Sequence, residues 1–230
     1  MTPFLTLLRV GHRNAIRNDL VRCRCPSVVA LLIRVLQQHP NEYIRGATLR
    51  FLQKISRDQE LLEPLIPTCR SCLEHRHSYV RKNAVFAVYT IYREYENLIP
   101  DAPELIQTFL AAESDATCKR NAFVFLANCA MPKAVEYVIQ VHDQIGSLDE
   151  LLQMAIIDVI RLDCKADSTH RVSAQLVSVG KSNENVYMQP RWIRCIFELL
   201  NASSHAVQYE AATTLTSLTQ HAAAVKGLYI

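Results

Sequence analysis

Four segments of this 230-residue chain repeat one short pattern, and the first three follow each other at intervals of 36 and 38 residues. Each pattern begins with an apolar residue, at Ile44, Val80, Cys118 and Val207. Four positions later three of the segments carry an alanine (Ala84, Ala122 and Ala211), and the first carries Thr48. Repeats of about 20–50 residues are typical of proteins built from stacked helical units. This period therefore constrains the fold more than any other feature.

Each period predicts two helices joined by a short turn. The apolar spacing of residues 62–73 predicts a first helix, and residues 79–97 predict its partner. Asp101-Ala102-Pro103-Glu104 combines the cap, the proline and the acid that are typical of a helix start. The further predicted pairs are 103–112 with 115–130, 132–145 with 148–163, and 190–201 with 204–220.

Helix pairs stacked in a row predict an all-α protein, a HEAT/armadillo-like α-solenoid. The recurrent alanine fits this fold, because a small side chain lets the second helix approach its neighbour closely. Only five glycines occur, widely spaced, which excludes the glycine-rich phosphate loops of nucleotide-binding proteins. No apolar run is long enough to span a membrane. Solenoids present long surfaces to partners, so we expect a binding protein, neither an enzyme nor the holder of a cofactor.

Two stretches differ from the repeats. Residues 1–38 contain six arginines and one aspartate, and we predict a weakly ordered basic leader there. Residues 39–230 are predicted to form a single α-solenoid. Within it, the polar segment 172–190 breaks the period and is predicted to be an irregular surface insert. The eight cysteines are interpreted as reduced thiols.

One cluster has the composition of a metal site. Cys69, Cys72, His75 and His77 are all residue types that bind zinc. However, Cys69 lies on the apolar stripe of a predicted helix, and a helix spreads these four side chains around its circumference. Core thiols are the preferred interpretation, and a zinc-binding protein remains an alternative.

Basic residues recur at equivalent positions of the first three repeats. The candidate partner-binding residues are Arg45, Arg81, Lys82, Lys119 and Arg120. Stacked repeats would align them into a ladder that could steer an acidic partner. The alternative is internal pairing with acids such as Glu74, Glu113 or Asp115, because surface charges often pair or remain solvated.

The same segments resemble a known family. The matching stretches are 38–52, 73–84, 98–105, 118–123, 193–200 and 204–215, within about seven-tenths of the chain. They are similar to the adaptin-like helical-repeat family, in particular to the β chains of coatomer, the COPI vesicle coat. The large adaptor chains are more distantly similar.

This resemblance implies a non-enzymatic trunk segment of a vesicle coat. It implies other coatomer subunits and an ARF-family GTPase in its GTP form as partners, with no nucleic acid. It also implies a cytoplasmic chain, peripheral on Golgi membranes and COPI vesicles, in Golgi-to-ER and intra-Golgi transport. The alternative is a generic cytosolic armadillo or HEAT adaptor such as a nuclear-transport carrier. That class expects repeated tryptophans, and the single Trp192 argues against it.

Two segments interrupt the resemblance, residues 21–37 and residues 172–190. Both begin with valine, whose codons start with GT, and both end at or near glutamine, which CAG encodes. These are the borders of an intron. We hypothesise that both segments are introns translated in frame, and a genuine lineage-specific isoform is the alternative.

Overall fold

The computed structural model describes residues 26–52, 59–174 and 184–218. Within these ranges the chain forms eleven α-helices, with short 3-10 turns between some of them, and no strand. The helices are α1 Pro26–Gln38, α2 Glu42–Leu52, α3 Gln59–Leu62, α4 Ile66–Ser71, α5 Ser78–Glu94, α6 Ala102–Ala112, α7 Ala116–Cys129, α8 Met131–Val141, α9 Glu150–Ala174, α10 Glu184–Leu199 and α11 His205–Leu218. The predicted all-α class is confirmed.

The chain divides into two units, residues 1–125 and residues 126–230. The first unit contains α1 with α2, α3 and α4 with α5, and α6 with the greater part of α7, which continues to residue 129. The second contains α8 with α9 and α10 with α11. The 3-10 turns are Glu63–Leu65, Cys72–Glu74, Glu96–Leu98 and His142–Ser147. The extent of one continuous solenoid over residues 39–230 stays a prediction.

The recurrent small residue is buried in all four of the repeated segments. Ala84, Ala122 and Ala211 are 0% exposed, and Thr48 is 1% exposed. The Thr48 hydroxyl donates to the Ile44 carbonyl at 2.9 Å, so its polar atom is satisfied within the helix. A larger side chain at these positions would push adjacent helices apart.

The start of the described chain differs from the sequence-based expectation. Residues 26–38, assigned to a weakly ordered leader, instead form α1. Leu32, Val35 and Leu36 of this helix are at most 8% exposed, at the i, i+3, i+4 spacing of an amphipathic helix. The boundary predicted at residue 38 therefore has no counterpart in the fold, because α1 packs against α2. The rest of the predicted leader lies outside the described residues.

The predicted irregular insert also differs at both ends. Helix α9 continues to residue 174, and α10 begins at residue 184, within the segment expected to be a loop. The middle of that segment, residues 175–183, lies outside the described residues. Among the helices that the structure describes, none is long and apolar enough to cross a lipid bilayer.

The second unit is joined by polar contacts between its helices. Trp192 on α10 is 1% exposed, and its Nε1 donates to Asp163 Oδ2 on α9 at 2.9 Å. Arg161 on α9 donates to Glu210 Oε2 at 2.7 Å and to Thr214 Oγ1 at 2.8 Å, both on α11. These contacts connect α9 with both helices of the following pair.

Candidate partner-binding face

The second helices of the first unit, α2, α5 and α7, carry an excess of positive charge. We call these three helices the second-helix layer. They contain seven basic and two acidic residues. Both acids are paired: Glu42 accepts from Arg76 at 3.0 Å, and Glu94 accepts from Arg93 at 3.4 Å. The remaining basic residues include all five that the sequence selected.

Arg81 is engaged inside the first unit. Its Nη1 donates to the carbonyls of His75 and Arg76 at 2.8 and 2.9 Å, in the turn that precedes its own helix. Its Nε and Nη2 donate to the two carboxylate oxygens of Glu113 at 2.7 and 2.9 Å. We call the turn between the first and second helix of a pair a corner. Arg81 thus joins its own corner to the next one.

Arg45 makes the equivalent connection one repeat earlier. Its Nε donates to the His39 carbonyl at 2.6 Å, and its Nη2 donates to the Gln37 carbonyl at 2.9 Å. Its Nη1 contacts Nε2 of His75 at 3.0 Å, in the following corner. Burial and the Arg45 charge lower the pKa of His75, because both disfavour the protonated ring.

Glu113 is the acceptor at the centre of the third corner. Its side chain is only 3% exposed. Besides Arg81, its Oε1 accepts from the backbone N–H groups of Ser114 and Asp115, each at 2.9 Å. Burial alone would raise the pKa of Glu113, but the hydrogen bonds from Arg81 and the two N–H groups outweigh it, and the pKa is lowered.

Asp115 caps α7 beside this pair. Its Oδ1 accepts from the Thr117 hydroxyl at 2.5 Å and from the Cys118 N–H at 3.0 Å. An N-cap carboxylate satisfies N–H groups that the first turn leaves unpaired. The Thr117 hydrogen bond is the main reason why the pKa of Asp115 falls to about 2, with the Cys118 N–H adding to it.

In the second unit, two glutamines donate hydrogen bonds to corner carbonyls, as Arg45 and Arg81 do in the first. Gln153 Nε2 donates to the carbonyls of Ile145 and Gly146 at 3.0 and 3.1 Å, and Gln208 Nε2 donates to the Ala202 carbonyl at 2.8 Å. Both are near the start of a second helix, as Arg45 and Arg81 are. The sequence analysis missed them because it followed charge, whereas the recurring property is a long side chain with N–H donors.

The other three candidates are not used at corners. Lys82 Nζ lies 5.1 Å from the centroid of the Tyr79 ring. In the part of the chain that the structure describes, the side chains of Lys119 and Arg120 form no hydrogen bond or ion pair, and both residues are half-buried. The predicted ladder therefore separates into two internal members, Arg45 and Arg81, and three others whose contact with a partner stays a prediction.

An aromatic cluster that sequence reasoning did not find lies beside Lys82. Tyr43 on α2 contacts Tyr79, with ring centroids 5.1 Å apart, and His77, with centroids 5.9 Å apart. Arg50 Cζ lies 5.9 Å from the Tyr79 ring centroid. Tyr43 is 62% exposed. The recurrence of tyrosine at positions 43 and 79 was the available signal.

The four residues of the zinc alternative have other roles. Cys69 is 0% exposed, and burial raises the pKa of its thiol far above the usual range. Burial also raises the pKa of Cys72 to about 11. His75 contacts Arg45, and His77 Nδ1 accepts from the Tyr79 N–H at 3.2 Å at the start of α5. Across residues 26–52, 59–174 and 184–218, no group of three or more His, Cys, Asp and Glu residues is placed to hold a metal ion.

The sequence and the fold are similar to known proteins. Residues 24–229 match the family described as "Adaptin N terminal region". The chain is 50% identical over 189 residues to "Coatomer subunit beta" of Rattus norvegicus, covering 82% of this chain and 18% of that one. "Coatomer subunit beta" of Dictyostelium discoideum is also 50% identical over 189 residues, covering 82% and 19%. The chain thus spans under one fifth of the length of these curated relatives.

Two solved structures show the same fold. A designed armadillo repeat protein has a TM-score of 0.51 at 17% identity, covering 89% of this chain and 87% of its own. A second one, in complex with a (KR)4 peptide, has a TM-score of 0.56 at 16% identity, covering 89% and 86%. Together with the helix pairs described above, they confirm the predicted armadillo-like α-solenoid class.

Proposed function

The chain belongs to the family of adaptin N-terminal regions, and on this premise we propose that it is a scaffold segment of the COPI vesicle coat. It acts by binding other proteins in Golgi-to-ER and intra-Golgi transport, without catalysis. The observation that carries the proposal is the 50% identity to coatomer β subunits along 82% of the chain. At that identity two chains share their fold.

The fold supports a scaffold role. The described helices form pairs, and arrays of such pairs present extended binding surfaces to partners. Corner contacts through Arg45 and Arg81 hold successive pairs of the first unit together, so the second-helix layer forms a pre-organised surface. Preorganisation lowers the entropy cost of binding.

The partners in this proposal are the other coatomer subunits and an ARF-family GTPase in its GTP form. The chain would be cytoplasmic and would reach Golgi membranes and COPI vesicles peripherally, as part of the coat. No nucleic acid takes part. The resemblance to coatomer β chains supports each of these assignments.

Within the second-helix layer, we assign direct contact with an acidic partner to Lys82, Lys119 and Arg120. Arg45 and Arg81 contribute indirectly, because their guanidinium groups are used at the corners. Complementary charge at an interface mainly accelerates association and fixes orientation.

The test is a pull-down of the full chain with the other coatomer subunits and a GTP-locked ARF-family GTPase. We expect capture of both, and we expect reversal of Lys119 and Arg120 to Glu to slow association in a salt-dependent manner. The matched control reverses Arg34 and Arg194, two exposed basic residues outside the layer. If the chain captured neither class of partner, the proposed function would be contradicted. If the control variant associated as slowly as the Lys119 and Arg120 variant, the second-helix layer would not be the binding surface.

A further inference from the structure

The Tyr79 ring is held in one place by the neighbouring helix. A Cβ atom built on Gly46 of α2 would lie 2.6 Å from Cδ1 of Tyr79 and closer still to Cε1, so the ring occupies the space that any larger residue would fill. The Tyr43 ring covers it from the same helix, with centroids 5.1 Å apart. The Tyr79 ring is therefore packed closely between the backbone of Gly46 and the ring of Tyr43.

Two cations lie close to the Tyr79 ring. Lys82 Nζ and Arg50 Cζ lie 5.1 and 5.9 Å from the Tyr79 ring centroid. Within the described ranges, neither cation has a carboxylate partner. Glu42, the acid on the same helix as Arg50, is bound to Arg76. The aromatic ring attracts both cations, but two like charges near one ring repel each other, and a bound anion would relieve that repulsion.

Exposed aromatic surface adjoins the two cations. Tyr43 is 62% exposed, and Phe86, one helical turn after Lys82 on α5, is 38% exposed. A ligand for this surface therefore needs negative charge for the cations and an apolar group for the rings. A peptide with carboxylates beside an apolar side chain has both.

We propose that the Tyr79 platform, defined as Tyr43, Arg50, Tyr79 and Lys82, binds an acidic segment of a partner protein. Carboxylates of the segment contact Arg50 and Lys82, and a neighbouring apolar side chain packs on Tyr43. A membrane surface fits less well, because recognition of anionic lipids typically uses clusters of about four to eight basic residues, and only two cations are placed here. The inference rests on the proposed binding role of the second-helix layer and names the chemistry of what it binds.

The experiment titrates the full chain into a short fluorescein-labelled peptide of Asp and Glu with one central Leu, and follows anisotropy. A second peptide carries Lys at every Asp and Glu, and a third probe is vesicles of phosphatidylcholine with phosphatidylserine. We expect the acidic peptide alone to bind, with affinity that falls as salt shortens the screening length. Arg50→Gln and Lys82→Gln should each weaken it about fivefold, the scale of one partly exposed ion pair. Tyr43→Ala should also weaken it.

The matched control is Arg93→Gln. Arg93 lies on the same helix, 5.8 Å from the Tyr89 ring centroid, and pairs with Glu94, so the variant removes the same charge from a different ring. It should bind the acidic peptide as the unchanged chain does. Thermal unfolding by circular dichroism verifies that each variant is folded.

Three results would overturn the inference: equal binding of the acidic and basic peptides, unchanged affinity in both cation variants, or Lys82-dependent binding to the vesicles in place of the peptide. Failure here is distinct from failure of the proposed function. If the chain captures coatomer subunits but does not bind the acidic peptide, only the inference about the Tyr79 platform is contradicted. Peptide binding that depends on the platform, without capture of coatomer subunits, supports the inference and contradicts the coat assignment.

Discussion

Arg81 and Glu113, 32 positions apart, form a two-fold hydrogen-bonded ion pair that joins two consecutive corners of the first unit. Arg81 also holds the carbonyls of its own corner, and Glu113 also holds the N–H groups that follow it. One pair therefore fixes both the shape of each corner and the step between them. One repeat earlier, a single contact at 3.0 Å between Arg45 Nη1 and His75 Nε2 joins the corresponding corners without a counter-charge.

Glu113→Gln should lower the free energy of unfolding by about 2–3 kcal/mol. The substitution keeps the shape but leaves Arg81 without its counter-charge, and loss of one partner of a fully buried pair costs about 3–5 kcal/mol. The value is smaller here because Arg81 retains some contact with solvent. Urea denaturation measures it.

The control for this pair is Asp101→Asn. Asp101 pairs with Arg70, but their side chains are 52% and 33% exposed. Exposed ion pairs contribute at most about 1 kcal/mol. If both variants lost the same stability, burial would not be what makes the Glu113 contact important.

Acidification should remove the stability that Asp115 contributes. Its pKa is about 2 in the folded chain against a reference of 3.8, so the folded state binds fewer protons than the unfolded state. The contribution is present above the reference pKa and disappears as the pH falls from about 5 to about 2. Partial exposure of the carboxylate limits it to about 1–2 kcal/mol.

Unfolding of the unchanged chain and of Asp115→Asn should be compared across that pH range. The stability difference between them should shrink as the solution becomes more acidic. A difference that stays constant with pH would show that the cap acts without its charge.

Ala84→Leu should destabilise the chain by about 1–3 kcal/mol through overpacking. Ala84 is 0% exposed, so three additional carbon atoms have no free space. Ala111→Leu, at an exposed position on α6, is the matched control and should have little effect. A melting curve of Ala84→Leu that coincides with that of the control would remove Ala84 from the packing interface.

Gly46→Ala should cost stability even though alanine favours helices by about 1 kcal/mol. The new methyl group would overlap the Tyr79 ring, and overpacking costs about 1–3 kcal/mol. The net loss should be about 1 kcal/mol by urea denaturation. Gly146→Ala provides the comparison, since nothing lies within 4 Å of a Cβ built there. A gain in stability for Gly46→Ala would mean that the ring moves without cost.

Leu36→Ala should lower the free energy of unfolding by about 2–5 kcal/mol, as core leucines do. Leu36 lies in the segment 21–37 that we hypothesise to be a translated intron, yet it is 1% exposed in α1. Leu31→Ala, on the same helix at a site that is 36% exposed, should cost much less. Equal and small losses would indicate that α1 does not belong to the core. Sequencing the transcript across both interruptions tests the intron hypothesis itself.

Local sequence patterns are enough to predict the repeat and its helices. The pair predicted at 103–112 with 115–130 corresponds to α6 and α7 within one residue at each end, because a 3.6-residue apolar period and a Pro-Glu helix start act locally. The recurrence of alanine at one position of the repeat also predicted that these alanines lie at a close contact between helices. Family resemblance was carried by contiguous motifs that need no tertiary information.

The contacts of the basic residues, by contrast, depend on how the helices pack. Arg45 and Arg81 follow the same pattern as Lys119, yet only the two arginines bind corners. They donate to carbonyls five to eight positions earlier, and their further partners are His75, 30 positions after Arg45, and Glu113, 32 positions after Arg81. The Tyr79 platform likewise assembles from two helices at a contact that Gly46 permits. Local periodicity specifies which residues form a helix. The partners of a long, flexible side chain depend on how the helices pack, and no short stretch of sequence encodes that packing.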